Sequence, residues 1–428
     1  MRTKQQTRVA LGLVVATTVV AALGACSAQT TGSDAVTLTF LHTANADPTW
    51  AKAIAAFEKQ HRGVTIKEQQ TSFDDLNSQV QARLGTKDPS IDVYTVDGPR
   101  LANMAAQGFL ADVSSDKSEI AKQTGQSSVD EVTYDGKQYA FPQWTSTNLM
   151  FYNKDLVAKA GLTAPSADPD KRMTWERVID DATKAQAAGA KYGFGFEQVD
   201  RYYQLQPLFE SAGGGSGLTG AGNLTPDITS AAWKSTAGWY GGLFESGLSP
   251  RGIPSEQMPD QFASGNIAYY VGGPWNTAAF EKSSVNWGVA PMPYFEGGKA
   301  VTTTGSWLVG VSPYSKHTDI ATEFSRFITL DATGASLVNP EGLPIQKDSL
   351  KSYLEALAAK GGTDADLAGI IKYEIAEETG IARPTTVGYV DFETIMNNAF
   401  SDIRNGHTVD QTLQTASDKI TSSFARYK

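Results

Sequence analysis

Aromatic and acidic side chains follow several β-rich runs of this sequence, where a bound molecule could reach them. Asp97 ends one such run and Trp275 follows another after Gly-Gly-Pro, while the first two runs lead into Asn45, Asp47, Phe73 and Asp74. Aromatic rings stack on the C–H faces of sugars, and carboxylates and amides hydrogen-bond sugar hydroxyls. Side chains of these types could contact a sugar among other small polar ligands, and helix capping is the structural alternative for Asp97, Asn45 and Asp47.

Metal chemistry finds little support in the composition. The chain has 428 residues with one cysteine and four histidines, and the histidines are far apart without an HExxH spacing. A single cysteine excludes an intramolecular disulfide and a Cys-rich zinc module. The formal charge of -10 argues against nucleic acid, whose phosphates need a basic surface. We expect no metal, no cofactor and no nucleic-acid partner.

A glycine-rich stretch imitates a nucleotide-binding motif. Residues 215–220 read Gly-Ser-Gly-Leu-Thr-Gly, a formal GxGxxG. A dinucleotide fingerprint needs a strand before it and a helix that starts within it. A helix-like stretch precedes this one and Asn-Leu-Thr-Pro follows it, so we predict a loop.

The elements that must position the candidate residues alternate between strands and helices. β-rich runs at residues 36–41, 64–66 and 91–96 are separated by helical patterns at residues 50–57, 74–84 and 101–107. This alternation predicts a mostly parallel α/β sheet, in which ligands bind beyond the carboxyl ends of the strands. The loops at residues 42–48, 71–74 and 97–100 would then share one rim. Further along, Thr174 is predicted to cap a helix that begins at Trp175.

The first 25 residues are typical of a secretory signal peptide. Arg2, Lys4 and Arg8 precede an apolar stretch at residues 9–23, and a small-residue cleavage site follows. The site resembles a lipobox, in which the residue after cleavage is a cysteine that carries diacylglycerol. We predict residues 1–25 as signal peptide and residues 26–35 as a lipidated Cys26 with a polar tether. The protein would be exported and anchored through Cys26 to the outer face of the cytoplasmic membrane.

Five ordered blocks of the chain carry a family resemblance. They are residues 136–162 (GKQYAFPQWTSTNLMFYNKDLVAKAGL), 261–275 (QFASGNIAYYVGGPW), 286–313 (NWGVAPMPYFEGGKAVTTTGSWLVGVSP), 342–345 (GLPI) and 382–384 (ARP). Together they resemble the family 1 extracellular solute-binding proteins of ABC importers, the group that includes maltose-binding protein. The similarity covers essentially the whole chain after the signal segment.

The resemblance implies an α/β, periplasmic-binding-protein-like clamshell of two lobes joined by a multi-segment hinge, with the ligand in the cleft. Lobe 1 would comprise residues 36–145 and 304–350, and lobe 2 residues 146–303 and 351–428. The loop after Asp97 lacks the aromatic residue that maltose-binding-like members often place there. We therefore expect the sugar platform of the first lobe to differ.

The resemblance also implies candidate ligand contacts. Trp275 matches a tryptophan that stacks on sugar, Tyr203 lies where the family commonly offers an aromatic ring, and Arg383 matches a position that faces the cleft. Core packing is the alternative for the tryptophan, and a surface ion pair is the alternative for the arginine. The crossing and hinge segments, with one further acidic residue, complete the candidate set: Trp144, Asn148, Glu256, Gly305, Ser306 and Trp307.

The leading function is capture of a di- or oligosaccharide and its delivery to the permease of an ABC importer, by a monomer without enzymatic activity. Two alternatives stay open. The same fold could bind a polyol or a glycerol phosphodiester, although a phosphate needs a basic pocket and only Arg383, Arg100 and Arg201 could supply one. A secreted glycoside hydrolase would need two carboxylates, which Asp47, Asp97 or Glu256 could provide.

Overall fold

The computed structural model describes residues 35–43, 50–305, 307–338, 343–376 and 379–427. The strands in these ranges are β1 (Val36–Thr43), β2 (Val64–Thr71), β3 (Val93–Asp97), β4 (Thr133–Tyr134), β5 (Lys137–Gln138), β6 (Phe141–Thr145), β7 (Leu149–Asn153), β8 (Tyr192–Phe196), β9 (Leu218–Thr219), β10 (Thr225–Pro226), β11 (Ile267–Gly272), β12 (Trp287–Pro291), β13 (Thr302–Thr303), β14 (Trp307–Val311), β15 (Leu343–Pro344) and β16 (Gly380–Ile381).

The α-helices of the same ranges lie between these strands and in a C-terminal run. They are α1 (Ala51–Gln60), α2 (Phe73–Leu84), α3 (Leu101–Ala106), α4 (Lys117–Thr124), α5 (Gln126–Glu131), α6 (Lys154–Lys159), α7 (Trp175–Ala187), α8 (Tyr202–Ser211), α9 (Ala231–Glu245), α10 (Met258–Ala263), α11 (Thr277–Glu281), α12 (Thr318–Thr329), α13 (Ala332–Leu337), α14 (Lys347–Ala359), α15 (Gly362–Ala376), α16 (Tyr389–Arg404) and α17 (Val409–Phe424). No helix in the described ranges is both long and apolar enough to cross a membrane.

The larger sheet has six strands in the order β15-β6-β14-β3-β1-β2. β1 pairs in parallel with both β2 and β3, as the strand–helix alternation predicts. β14, β6 and β15 then extend the sheet in antiparallel pairs. The expectation of a mostly parallel sheet is therefore wrong for the part of the larger sheet formed by β14, β6 and β15. Along the chain, β6 and β14 connect to the second sheet, so no helical crossover joins them to a parallel neighbour.

Local sequence signals account for several of these elements. Ile54 and Phe57 of α1, and Trp50 just before it, are buried at helical spacing, which fixes the face that packs on the larger sheet. The predicted cap of α7 is confirmed, since the hydroxyl of Thr174 accepts a hydrogen bond of 3.3 Å from the backbone N–H of Arg177. The GxGxxG stretch follows α8, has left-handed backbone at its glycines and includes the two-residue strand β9. No helix begins within residues 215–220, so the stretch lacks the strand-to-helix geometry of a dinucleotide fingerprint, as predicted.

The smaller sheet has four strands in the order β12-β7-β11-β8. Its strands β7 and β11 are buried along their whole length, which explains their continuous apolar runs. β11 is parallel to β8 and antiparallel to β7, and β12 is antiparallel to β7. This sheet forms the centre of the second half of the fold.

Two separate hydrophobic cores surround these sheets. The first draws its residues from β1 through β6 and from β14 through α13, and includes Phe40 and Trp50. The second draws on β7 through β12 and on the helices from α14 onward, and includes Trp175 and Trp233. The chain passes between the cores after β6, after β12 and after Val338.

Threonine side chains join two of the segments in which the chain passes between the cores, which we call the crossing segments. The hydroxyls of Thr145 and Thr304 lie 3.2 Å apart, and those of Thr147 and Thr302 also lie 3.2 Å apart. Thr302 further donates to the backbone carbonyl of Asn148 at 2.7 Å. β13 pairs in parallel with β16, which brings the start of the C-terminal region to the same place. The crossing is thus a compact bundle of extended strands held by short polar side chains.

Candidate functional site

Several of the candidate residues come together at the junction of the two cores, around an ion pair between Asp97 and Arg383. Asp97 is the last residue of β3, and Arg383 lies between β16 and α16. The guanidinium donates two hydrogen bonds to the carboxylate, of 2.9 and 2.5 Å, and both side chains are buried. Burial acts to lower the pKa of Arg383, but Asp97 and the neighbouring Tyr389 and Glu393 outweigh it and raise that pKa well above its usual value.

A second arginine and a second carboxylate close this group into a network. Arg100 donates to Glu393 of α16 at 2.6 Å, and its Nε lies 3.4 Å from Asp97. The hydroxyl of Tyr389 donates to Glu393 at 3.1 Å, and Arg383 lies 3.7 Å from the same carboxylate. Two positive and two negative charges therefore balance within the network. It ties the loop after β3, on the first core, to α16 of the second.

Tyr203 and Trp275 bring aromatic rings to this network from the second core. The ring centroids of Tyr203 and Trp275 lie 6.4 Å apart, and the Arg383 guanidinium lies 5.0 Å from the Tyr203 ring. The Tyr203 hydroxyl is 2.7 Å from that of Ser146, which donates to the carbonyl of Gly305. A Cβ on Gly305 would lie 2.8 Å from the Tyr203 ring, so glycine permits this close approach. Burial raises the pKa of Tyr203 to about 12.

Glu197 belongs to the site although the sequence reasoning did not single it out. It follows β8 directly, and its carboxylate accepts a 2.6 Å hydrogen bond from the indole N–H of Trp275. Its other oxygen accepts from the backbone N–H of Gly273 at 3.3 Å. Burial raises the pKa of Glu197 to about 7, against the lowering effect of its bonds to Trp275 and Gly273 and of the nearby Asn276 side chain. The strand-end rule that singled out Asp97 applies equally here and could have found it.

Phe73 and Trp307 supply rings from the first core. Their centroids lie 5.7 Å apart in an edge-to-face arrangement, and both side chains are half-buried. Trp307 starts β14 opposite Asp97 of β3. The guanidinium of Arg201, at the start of α8, lies 4.8 Å from the Phe73 ring. The first core thus has an aromatic pair even though the loop after Asp97 has none.

Three further candidates differ from this cluster in their burial. Trp144 is buried in the first core, where it stacks on Trp50 at 5.5 Å. Asn148 is fully buried at the crossing, and its amide finds no hydrogen-bond partner among the described residues. Glu256 is exposed and lies 3.5 Å from Arg201, whose guanidinium contacts the Phe73 ring. Trp144 lies opposite Trp307 in the β6–β14 strand pair, and ligand contact by Trp144 and Asn148 stays a prediction.

Several predicted positions cannot be placed on the structure. Asn45, Asp47, Ser306 and Cys26 lie outside the described residues, as does the side chain of Asp74. The backbone of Asp74 lies in the first turn of α2, beside Phe73. Among the residues that the structure does describe, no group of three or more His, Cys, Asp or Glu side chains could hold a metal ion.

Two α/β halves with charged and aromatic side chains converging at their junction define a solute-binding protein. The chain belongs to the bacterial extracellular solute-binding protein family, whose model matches residues 42–335. The family resemblance seen in the sequence motifs is thereby confirmed. This is a family of binding proteins that act outside the cytoplasm.

Curated relatives and solved structures agree with this assignment. The chain is 28% identical over 288 residues to a galactooligosaccharide-binding protein of Bacillus subtilis, a match that covers 64% of each chain. It is 26% identical over 287 residues to the maltodextrin-binding protein MdxE of the same organism, covering 64% of this chain and 65% of that one. The chain thus spans slightly less than two thirds of the length of these two relatives.

A solved structure shows the same fold. An ABC substrate-binding protein of Listeria monocytogenes, determined in complex with cycloalternan, superposes with a TM-score of 0.80 at 22% identity. The superposition covers 92% of this chain and all of that chain. The periplasmic-binding-protein-like α/β fold predicted from the sequence is confirmed.

Proposed function

We propose that this protein captures a di- or oligosaccharide and delivers it to the permease of an ABC importer. The observation that carries the proposal is the pairing of aromatic rings from both cores, Tyr203 and Trp275 on one side and Phe73 and Trp307 on the other, around one polar network. Rings stack on sugar faces while charged and polar edges bind hydroxyls. The oligosaccharides named for the two Bacillus subtilis relatives are of the same chemical class.

The mechanism we infer is closure of two lobes on the ligand. Lobe 1 would comprise residues 36–145 and 304–350, and lobe 2 residues 146–303 and 351–428, with the threonine-rich crossing as hinge. A ligand that contacts rings on both lobes binds the closed state more tightly and shifts the population toward it. The closed form, acting as a monomer, would then dock on the permease.

The charges at the site favour a neutral ligand over a phosphodiester. Arg383 is bonded to Asp97, Arg100 to Glu393, and Arg201 lies near Glu256. A phosphate group would have to compete with these carboxylates for its arginines, whereas hydroxyl groups can join the network at its edges.

Glycoside hydrolysis is the second candidate, because Glu197 has the raised pKa of a general acid. Both oxygens of Glu197, however, accept hydrogen bonds from the protein's own Trp275 and Gly273. Incubation of maltotriose and galactotriose with the protein is expected to leave both intact. Release of shorter sugars, lost in Glu197→Gln, would establish the hydrolase instead.

A lipid anchor at Cys26, after removal of residues 1–25, would hold the protein at the outer face of the cytoplasmic membrane. The lipobox-like site and the polar tether that follows it support this part of the proposal. Cells fed a labelled fatty acid are expected to label the wild-type protein. Cys26→Ala is expected to abolish the label and release the protein into the medium; equal labelling of both would refute lipidation at Cys26.

A thermal-shift screen tests the ligand class. Maltotriose and galactotriose represent neutral oligosaccharides, glycerol a polyol, and glycerophosphocholine a phosphodiester. A bound ligand raises the melting temperature because it stabilises only the folded state. We expect an increase with at least one oligosaccharide. An increase with glycerophosphocholine alone would overturn the carbohydrate proposal.

A further inference from the structure

We propose that Glu197 is a positioning residue that fixes the indole of Trp275 and so sets the orientation of the ring offered by the second core. The inference rests on the proposed function in one respect, namely that this ring receives the sugar. Glu197 acts through Trp275, because Glu197 is only 7% exposed whereas the tryptophan that it holds is half-buried.

The carboxylate ties down both ends of one short segment. Oε1 accepts the indole N–H of Trp275 at 2.6 Å, and Oε2 accepts the backbone N–H of Gly273 at 3.3 Å. An indole has a single donor, so this bond fixes the edge of the ring. Because Gly273 and Trp275 are two residues apart, one carboxyl group holds the backbone and the side chain of the same turn.

The face of the indole is fixed as closely as its edge. A Cβ built on Gly273 would lie 2.0 Å from two atoms of the Trp275 ring, so the ring lies directly against the Gly273 backbone. One face is thereby covered by the protein. The ring of Tyr203 lies 6.4 Å away and inclined by 41°, in contact with the same region. An edge bond and a covered face together leave the indole little freedom to rotate.

Burial of a carboxyl group is unfavourable unless its contacts in the protein compensate for the lost contacts with water. Taking a carboxylate out of water costs several kcal/mol when hydrogen bonds and a nearby cation do not compensate fully. Here the compensation comes from the bonds to Trp275 and Gly273, with further contributions from the nearby Asn276 side chain and from the charge of Arg201. The favourable contacts of Glu197 are thus directed mainly at the turn that carries the ring.

The first test observes the indole directly and needs no ligand. The mature chain is labelled with ¹⁵N-tryptophan, and the indole N–H signal of Trp275 is assigned by its disappearance in Trp275→Phe. In Glu197→Ala this signal is expected to move to the position of a water-exposed indole and to broaden. In Glu197→Gln, which keeps an acceptor oxygen, it is expected to stay close to the wild-type position. An unchanged signal in Glu197→Ala would overturn the proposal.

The second test measures affinity for maltotriose and galactotriose. Glu197→Ala is expected to weaken binding by about tenfold, about 1.4 kcal/mol, and Glu197→Gln to restore most of it. In a Trp275→Phe background the Ala substitution is expected to have little further effect, since its action passes through the indole. An equal loss in both backgrounds would show that Glu197 does not act through Trp275.

A matched control separates this role from general stability. Asp181 on α7 is another buried carboxylate of the second core, paired with Arg177 at 2.7 Å. Asp181→Asn is expected to lower the melting temperature without changing either affinity or the Trp275 signal. If neither sugar binds the wild-type protein, the carbohydrate proposal fails for these probes, and the indole signal alone decides the role of Glu197.

Discussion

The carboxylate of Asp97 and the guanidinium of Arg383 are joined by two hydrogen bonds although 286 residues separate them in the chain. Asp97 ends a strand of the first core, and Arg383 precedes a helix of the second. Because both groups are buried, their attraction is weakly screened by water. The pair is therefore a link between the two halves of the molecule as well as part of the candidate site.

Removal of one partner is predicted to destabilise the fold. Asp97→Ala leaves the Arg383 charge buried with the more distant Glu393, at 3.7 Å, as its remaining carboxylate among the described residues. Loss of one member of a buried ion pair typically costs about 3 kcal/mol or more. We expect a decrease of about that size in the free energy of unfolding measured by urea denaturation.

An exposed pair provides the comparison. Lys351 and Glu355 are separated by 4.0 Å on α14, and both are largely exposed. Lys351→Ala is expected to change the free energy of unfolding by less than about 1 kcal/mol. Similar losses for the two substitutions would contradict a special role for the buried pair.

Gly273→Ala is predicted to displace the candidate stacking ring. The new Cβ would lie 2.0 Å from the Trp275 indole, a distance that real contacts do not allow, so the ring must move. We expect affinity for the oligosaccharide found in the thermal-shift screen to fall by about tenfold. Isothermal titration calorimetry would measure this change.

Gly238→Ala is the matched control. Gly238 lies in α9, and a Cβ there would meet nothing within 4 Å. The substitution is expected to stabilise the protein by about 0.5–1 kcal/mol, because alanine favours the helix, and to leave affinity unchanged. A loss of affinity in Gly238→Ala equal to that in Gly273→Ala would exclude a local effect on the ring.

The strand ends were predictable because they depend on local pattern. The buried run of β3 locates Asp97 at a carboxyl end, and the Gly-Gly-Pro sequence after β11 locates Trp275. The same rule would have selected Glu197 after β8. What the rule cannot supply is the partner, since the bond from Glu197 to Trp275 joins positions 78 residues apart.

Which side chains are buried where the chain passes between the two cores was harder to predict from the sequence. Trp144 and Asn148 lie on the segment that leaves the first sheet, and the sequence does not say which face of that segment meets the core. That choice depends on pairing with distant strands, such as the register of Trp144 opposite Trp307 and Pro344. The antiparallel half of the larger sheet was missed for the same reason.

Trp275→Ala is predicted to separate ligand binding from stability. The indole is half-buried at the edge of the second core, so its loss removes ligand contact and limited packing. We expect oligosaccharide affinity to fall at least about tenfold. The melting temperature is expected to fall less than in Trp239→Ala, by the amount due to the lost bond to Glu197 and limited packing. Trp239 packs on Trp175 and Phe295 and is the comparison in which packing, and not a ligand contact, is removed. Trp239→Ala is expected to lower the melting temperature and preserve affinity; a shared pattern would argue against a ligand contact at Trp275.

The buried carboxyl of Glu197 is predicted to make stability depend on pH near neutrality. Burial raises its pKa from the ordinary 4.5 to about 7, while the bonds from Trp275 and Gly273, the nearby Asn276 side chain and the charge of Arg201 oppose that increase. The neighbouring phenols of Tyr203 and Tyr270 have pKa values raised by burial and stay neutral through this range. Glu197 is therefore the group at this position that titrates.

The sign follows from proton binding. Between pH 4.5 and about 7 the folded carboxyl holds a proton that the unfolded chain has released, so the free energy of unfolding falls as pH rises. The full shift corresponds to roughly 3 kcal/mol. Glu197→Gln removes this titration and leaves all other groups in place. Urea unfolding from about pH 5 to about pH 8 should show wild type losing stability relative to Glu197→Gln; a constant difference, or one that grows in favour of wild type, would mean that Glu197 is already ionised in the folded protein.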